Sequence, residues 1–92
     1  MTSATFQHIA PTIPAQPGIY KYFDAAGELI YVGKAKHLRK RVSSYFTKTF
    51  TSYKTHELVQ RIARIEFTIV NSDQDAFLLE NTLIKQFQPK YN

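Results

Sequence analysis

Gly18-Ile-Tyr-Lys-Tyr-Phe-Asp-Ala-Ala-Gly-Glu-Leu-Ile-Tyr-Val-Gly33 is the stretch on which the fold turns. Two short runs rich in aromatic and β-branched residues flank Asp24-Ala25-Ala26-Gly27, a sequence with the chemistry of a turn. With those four residues as the loop, Phe23 faces Glu28, Tyr20 faces Tyr31 and Gly18 faces Gly33. Period-two alternation then puts Tyr20, Tyr22, Leu29 and Tyr31 on one face, and Ile19, Phe23, Ile30 and Val32 on the other. Two phenols stand side by side on a rigid hairpin, next to Lys34 and just ahead of a basic segment. That arrangement suits water activation or phosphate binding better than it suits a plain core.

Outward from the hairpin, Leu38, Val42 and Tyr45 recur at helical spacing and predict a basic helix over Lys36–Phe46. The polar, Thr-rich stretch Thr47–Tyr53 reads as a loop. Leu58, Val59 and Ile62 mark a second helix over Lys54–Ile62. Ile65, Phe67 and Ile69 alternate with their neighbours as a third strand. Ser72, three residues before Asp75, resembles a capping box opening a last helix, which Pro89 stops. Residues 1–16, with Pro11 and Pro14 followed by Pro17, read as an extended arm. The order strand, strand, helix, helix, strand, helix predicts a small α/β (α+β) layer around an antiparallel hairpin.

The 92 residues, 43% hydrophobic and 14% aromatic, suffice for one small core without staples. The absence of cysteine excludes disulfides, thiolate metal sites and thiol nucleophiles. No apolar run approaches ~20 residues, so no membrane-spanning helix is expected, and the first residues lack the pattern of a secretory leader. Net charge is +5, but its placement says more. Between Leu29 and His56 lie Lys34, Lys36, Arg39, Lys40, Arg41, Lys48 and Lys54, and no carboxylate. A one-signed block of this kind is either a solvated helix face or the footprint of a polyanion. Ser43, Ser44, Tyr45 and Thr47 follow at once as further phosphate donors, which favours nucleic acid. His8, His37 and His56 show no ligand spacing and read as surface residues.

Phe77, Ile84 and Phe87 predict an apolar stripe on the last helix, with Leu79 and Leu83 beside it. Glu80 falls along that stripe. An ionised carboxylate there costs several kcal/mol unless it is solvated, paired or bound to a cation. It is therefore a helix-edge residue reaching water, the partner of a buried Lys or Arg, or a metal ligand facing the tyrosine hairpin. The last option requires no second acid, since Mg²⁺ often takes one or two carboxylates and completes its shell with water and phosphate oxygens.

Gly18-Ile19-Tyr20 followed by Tyr31-Val32-Gly33 resembles the signature of the GIY-YIG nuclease superfamily, with Val for the middle Ile of the second motif. Tyr31-Val-Gly-Lys-Ala-Lys-His-Leu-Arg-Lys-Arg-Val-Ser-Ser-Tyr-Phe46, Ala76-Phe-Leu-Leu-Glu-Asn-Thr-Leu-Ile-Lys85 and Pro89-Lys-Tyr-Asn92 are similar to the N-terminal nuclease domains of bacterial UvrC excinuclease subunits. The likeness runs over residues 17–92 and implies a nuclease domain there, as part of a longer protein. It implies a metal-dependent DNA endonuclease acting in nucleotide excision repair and the SOS response, cutting damaged duplex on the 3′ side, with Mg²⁺ (or Mn²⁺) as cofactor. It further implies other excinuclease subunits (UvrB) as partners, and a cytoplasmic location.

Residue by residue, the resemblance implies that Tyr31 is a general base or a water-positioning group, with Tyr20 beside it. Lys34 would hold Tyr31 or the phosphate, Arg41 and Tyr45 would grip the scissile phosphate, Glu80 would be the sole protein ligand of the metal, and Asn92 would support the site by hydrogen bonding. Lys36, Arg39, Lys40, Ser43 and Ser44 would contact DNA. A phenol titrates near ~10; a cation such as Lys34 or Arg41 would lower that value, whereas a phenol that only positions water needs no such shift. Two other readings remain: a stand-alone or homing-type nuclease on the same fold, and a non-catalytic nucleic-acid-binding module with aromatic stacking.

Overall fold

In the computed structural model, which describes residues 1–47 and 52–92, Gly18–Phe23 form β1 and Leu29–Ala35 form β2. Asp24 builds the turn. Its Oδ1 accepts from Ala26 N (3.0 Å) and Glu28 N (2.9 Å), its own N–H donates to the Glu28 carbonyl (3.0 Å), and Gly27 takes the left-handed conformation at φ +82°. The loop therefore covers residues 24–28, and the pairing is not the one expected. Gly18 faces Ala35, Tyr20 faces Gly33, Tyr22 faces Tyr31 and Phe23 faces Leu29, with a bulge at Tyr22/Phe23. This is a slip of two residues, and an even slip leaves most side chains on their predicted face. Gly33 accounts for the outcome: a Cβ there would sit inside the Tyr20 ring, so only glycine lets that ring lie flat across β2. The bulge inserts one residue and exchanges the predicted faces of Leu29 and Ile30.

Arg64–Ile69 form β3, which pairs antiparallel with the other side of β1, giving the strand order β2-β1-β3. Lys21 meets Glu66 across this pair at 3.8 Å, and the Arg64 guanidinium sits 4.2 Å from the centroid of the Phe23 ring opposite. The expected three-stranded antiparallel sheet flanked by helices is the observed architecture.

One sheet face holds the larger core. Ser3–Ile9 form α1, Leu38–Thr47 form α2 and Tyr53–Arg61 form α3. Phe6, Leu38, Val42, Phe46, Leu58, Val59 and Ile62 from these segments close over Tyr20 and Tyr22. Residues 1–16 are thus not an extended arm. Thr2 caps α1 by accepting from Thr5 N (3.1 Å), Phe6 stacks on Phe46 with ring centroids 4.2 Å apart, and Ile13 is completely buried. The prolines that suggested an arm all lie beyond α1, where they end the helix through a single 3₁₀ turn over Ala10–Thr12. Burying Phe6 contributes about 2–3 kcal/mol, enough to hold so short a helix in place.

α2 begins at Leu38, two residues after the expected Lys36, with His37 as its cap: the imidazole Nδ1 accepts from Lys40 N (3.2 Å). The predicted loop at Thr47–Tyr53 falls mostly on 48–51, outside the described residues, as does Lys48 of the basic block.

Asp73–Phe87 form α4, capped by Ser72, whose hydroxyl accepts from Asp75 N (3.1 Å), and closed by Gln88 in the left-handed region just before Pro89. α4 packs on the opposite sheet face, with Ala76, Leu79, Leu83 and Ile84 against Ile19, Leu29 and Val32. The predicted stripe is corrected by a rotation. Phe77 and Phe87 are half exposed, and Ala76 with Leu79 takes their place. Among the described residues, no helix is long and apolar enough to cross a membrane.

Candidate active site

The sheet and α2 converge on a cluster of four phenols. Tyr20 and Tyr22 alternate with inward-facing β1 positions, Tyr31 projects from β2 opposite Tyr22, and Tyr45 comes from α2 one turn after Arg41. The hydroxyls of Tyr20 and Tyr45 are 2.8 Å apart. Arg41 Nε donates to the Tyr20 hydroxyl (3.3 Å), an Arg41 Nη donates to that of Tyr45 (3.5 Å), and the guanidinium lies 5.2 Å from the Tyr45 ring centroid. The Tyr31 ring centroid is 6.1 Å from Tyr20 and 6.5 Å from Tyr45. Tyr20, Tyr31, Arg41 and Tyr45 are brought together.

Burial, more than charge, sets the protonation of this cluster. Loss of solvent pushes Tyr31 up to about 12, with Tyr45 adding to the rise and Arg41 only partly opposing it. Burial likewise raises Tyr20, Tyr22 and Tyr45 above the ordinary phenol value. Of the two readings open for Tyr31, burial favours the phenol that positions water, since desolvation outweighs the lowering effect of Arg41. Burial thus favours the protonated form of all four phenols.

The sign of the linked stability follows from the direction of the shift. A phenol raised in the folded state retains its proton between its unfolded value of 10.0 and its folded value, while the unfolded chain has lost it. Stability is therefore full below pH 10 and is expected to fall as pH rises toward 12, by up to about 1.4 kcal/mol per pH unit for each shifted phenol. Denaturant melts at stepped alkaline pH check this, and a flat stability between pH 10 and 12 would contradict it.

Asn92 is tied to the hairpin rather than to the phenols. Its side-chain amide accepts from Val32 N and donates to Val32 O, both at 2.8 Å, while Tyr91 N donates to Ile30 O at 3.0 Å. The chain end thus pairs with the free edge of β2, holding the backbone between Tyr31 and Gly33.

Lys34 does not hold Tyr31. Strand alternation sends it to the α4 face, where its ammonium lies 5.3 Å from the Phe77 ring centroid. Arg39 is partly committed to structure, its Nε donating to the Ile13 carbonyl (2.9 Å), and the Ser44 hydroxyl donates to Arg41 O (2.6 Å). Lys36 and Lys40 remain exposed along α2 and its approach, and Ser43 is half-buried.

Glu80 is half-buried on α4. At about 100° per residue it falls between Leu83 and Ile84, on the arc that faces Ile19 and Val32, so α4 carries it on the sheet face opposite the phenol cluster and not facing the tyrosine hairpin as expected. No salt bridge or hydrogen bond engages its carboxylate among the described residues, so the buried-partner reading fails. Neither is there a cluster of three or more His, Cys, Asp or Glu among those residues. The donor set for a cation is one hard carboxylate, which fits an ion that completes its shell with water and substrate oxygens. Sequence reasoning passed over Tyr22 as a site residue, although alternation had already placed it on the same face.

Three comparisons agree. The sequence profile described as the UvrC-like GIY-YIG domain matches residues 16–92. UvrABC system protein C of Porphyromonas gingivalis is 54% identical over 92 residues, covering 100% of this chain, and that of Bacteroides fragilis is 52% identical over 91 residues, covering 99%. The chain spans only 15% of the length of either relative. Among solved structures, the GIY-YIG N-terminal endonuclease domain of UvrC from Thermotoga maritima, bound to its catalytic divalent cation, magnesium, superposes with a TM-score of 0.83 at 33% identity, covering 96% of each chain. A profile match over nearly the whole chain, relatives above half identity and a superposable fold lead to one assignment: the chain belongs to the UvrC-like GIY-YIG domain family.

Proposed function

We propose that this chain is the nuclease module of a UvrC-type repair protein, hydrolysing one phosphodiester on the 3′ side of a lesion in duplex DNA with a divalent cation, Mg²⁺ or Mn²⁺. The observation that carries the reading is the joining of Tyr20 on β1 to Arg41 and Tyr45 on α2, a helix whose charged residues are all basic. Its nearest support outside the chain is the likeness to a UvrC endonuclease domain solved with magnesium. The module works within the longer protein that its relatives represent, in the cytoplasm, with DNA and the other excinuclease subunits, UvrB among them, as partners.

Each side chain has a task that follows from its chemistry. Arg41 carries five N–H donors, so it has donors left for two phosphate oxygens after serving the phenols. Burial raises the Tyr31 phenol, which favours orienting the attacking water or donating to the phosphate over removing a proton. Asn92 holds the strand that presents Tyr31. Lys36, Lys40, Ser43 and Ser44 follow the DNA backbone, which positions the duplex without reading sequence, and Lys34 offers phosphate a charge from the α4 side. Glu80 would hold the cation, which when bound offsets negative charge on the leaving oxygen.

A labelled duplex with a single bulky lesion, loaded by the partner subunits, provides the test. Nicking on the 3′ side is expected with Mg²⁺ or Mn²⁺, and none after chelation. Intact DNA in every metal, with partners present and binding retained, would favour a binding module without chemistry.

A further inference from the structure

Tyr22 lies at the centre of the phenol cluster, and nothing in the function so far uses it. It is completely buried, and its hydroxyl has no hydrogen-bond partner among the described residues. Its ring centroid is 5.3 Å from Tyr20, 5.3 Å from Tyr45 at a right angle, and 5.9 Å from Tyr31, which it faces directly across the β1–β2 ladder. It therefore touches all three phenols of the site. Phenylalanine would fill the same space, and a buried unpartnered hydroxyl destabilises the fold that carries it. The hydroxyl has a cost in the free protein, and a partner within the cluster would remove it.

Counting donors shows where that partner lies. Arg41 donates to both Tyr20 and Tyr45, and the bond between those two hydroxyls uses a single proton. A phosphate that draws Arg41 and the Tyr45 hydroxyl toward itself leaves the inner phenols short of one donor. The Tyr22 hydroxyl is a buried donor with no partner among the described residues, on a ring that packs against all three site phenols. Resting on the nuclease reading, we propose that Tyr22 is a positioning residue: its ring seats the three site phenols, and its hydroxyl supplies the inner hydrogen bond, direct or through one internal water, that keeps Tyr20 and Tyr31 aligned while the phosphate is engaged.

Tyr22→Phe removes that oxygen alone. Folding is expected to be unharmed, with a melting temperature at or above that of the wild type. Single-turnover nicking should fall about tenfold with KM for DNA unchanged, a factor equal to the loss of one hydrogen bond of about 1.4 kcal/mol. An independent readout needs no activity. In alkaline titration of phenolate absorbance, Tyr22→Phe and wild type should superimpose in phosphate-free buffer, whereas with inorganic phosphate present loss of the inner donor should move the remaining cluster phenols upward by about half a pH unit or more. A titration that superimposes on the wild-type curve with phosphate present overturns the proposal, as does an unchanged rate in a protein that nicks. A wild-type chain that never nicks while the titration still moves would count against the nuclease reading and leave the role of Tyr22 standing.

Discussion

Glu80→Gln is expected to lower nicking on the order of a thousandfold while DNA binding stays within about threefold of wild type. The amide keeps the size and hydrogen-bonding outline of the carboxylate but removes its charge, and no second acid stands ready to replace it among the described residues. Groups that stabilise charge only as the reaction proceeds contribute about 3–4 kcal/mol, which sets the size of the loss. The same variant should be as stable as the wild type. Glu80 is half-buried and makes no ion pair or hydrogen bond among the described residues, so the exchange removes no stabilising contact. A dead but well-folded Glu80→Gln protein is the result expected of a ligand. Retained cleavage with Mg²⁺ or Mn²⁺ would end the assignment of Glu80 to the metal. Manganese soaked into crystals offers a structural check, since anomalous density would appear beside the Glu80 carboxylate.

Arg41→Lys is expected to cost about a hundredfold in the rate of the cleavage step, with no change in net charge. The arginine makes three simultaneous contacts: Nε to Tyr20, Nη to Tyr45, and its plane against the Tyr45 ring. A lysine ammonium is a compact point charge that cannot reach both hydroxyls and also present a planar fork to phosphate. Long-range attraction of DNA survives the exchange because the charge does. The loss should therefore fall on kcat under single-turnover conditions, with little effect on KM. Because Arg41 is exposed, stability should change by less than about 1 kcal/mol. Rates near wild type would mean that one positive charge suffices there, and that the contacts to Tyr20 and Tyr45 serve folding alone.

The two variants separate contributions from opposite sides of the sheet. The phenols and Arg41 belong to the face covered by α1, α2 and α3, whereas α4 packs its apolar arc on the other. β2 is the edge strand between these layers, and among the described residues its outer side is paired by Tyr91 and Asn92. Ordering of that edge thus bears on both groups at once.

Much of this could be read along the chain because each signal is local. Period two placed Tyr20, Tyr22 and Tyr31 on one face, period 3.6 buried Leu38, Val42 and Tyr45 on α2, and Ser72 and Pro89 bounded α4. The absence of acid from Leu29 to His56 pointed to a polyanion before any coordinate was known. What escaped depended on contacts far apart in sequence. An even slip of the hairpin preserves the alternating pattern, so the pattern is blind to it. Only the seat of the Tyr20 ring over Gly33, fixed by packing against α2, selects the pairing. Likewise, Phe6 finds its partner in Phe46, and α4 turns Ala76 rather than Phe77 toward the sheet.

The protonation of Tyr31 shows the same division most clearly. That a phenol and basic residues share a short segment is written in the order of amino acids. That burial outweighs the cation beside it, pushing the phenol up to about 12, follows from how many atoms of other segments exclude water around it. Residue types and their spacing name the chemical groups. Desolvation, register and the sheet side each group occupies are properties of the packed whole, because they arise from neighbours that only folding assembles.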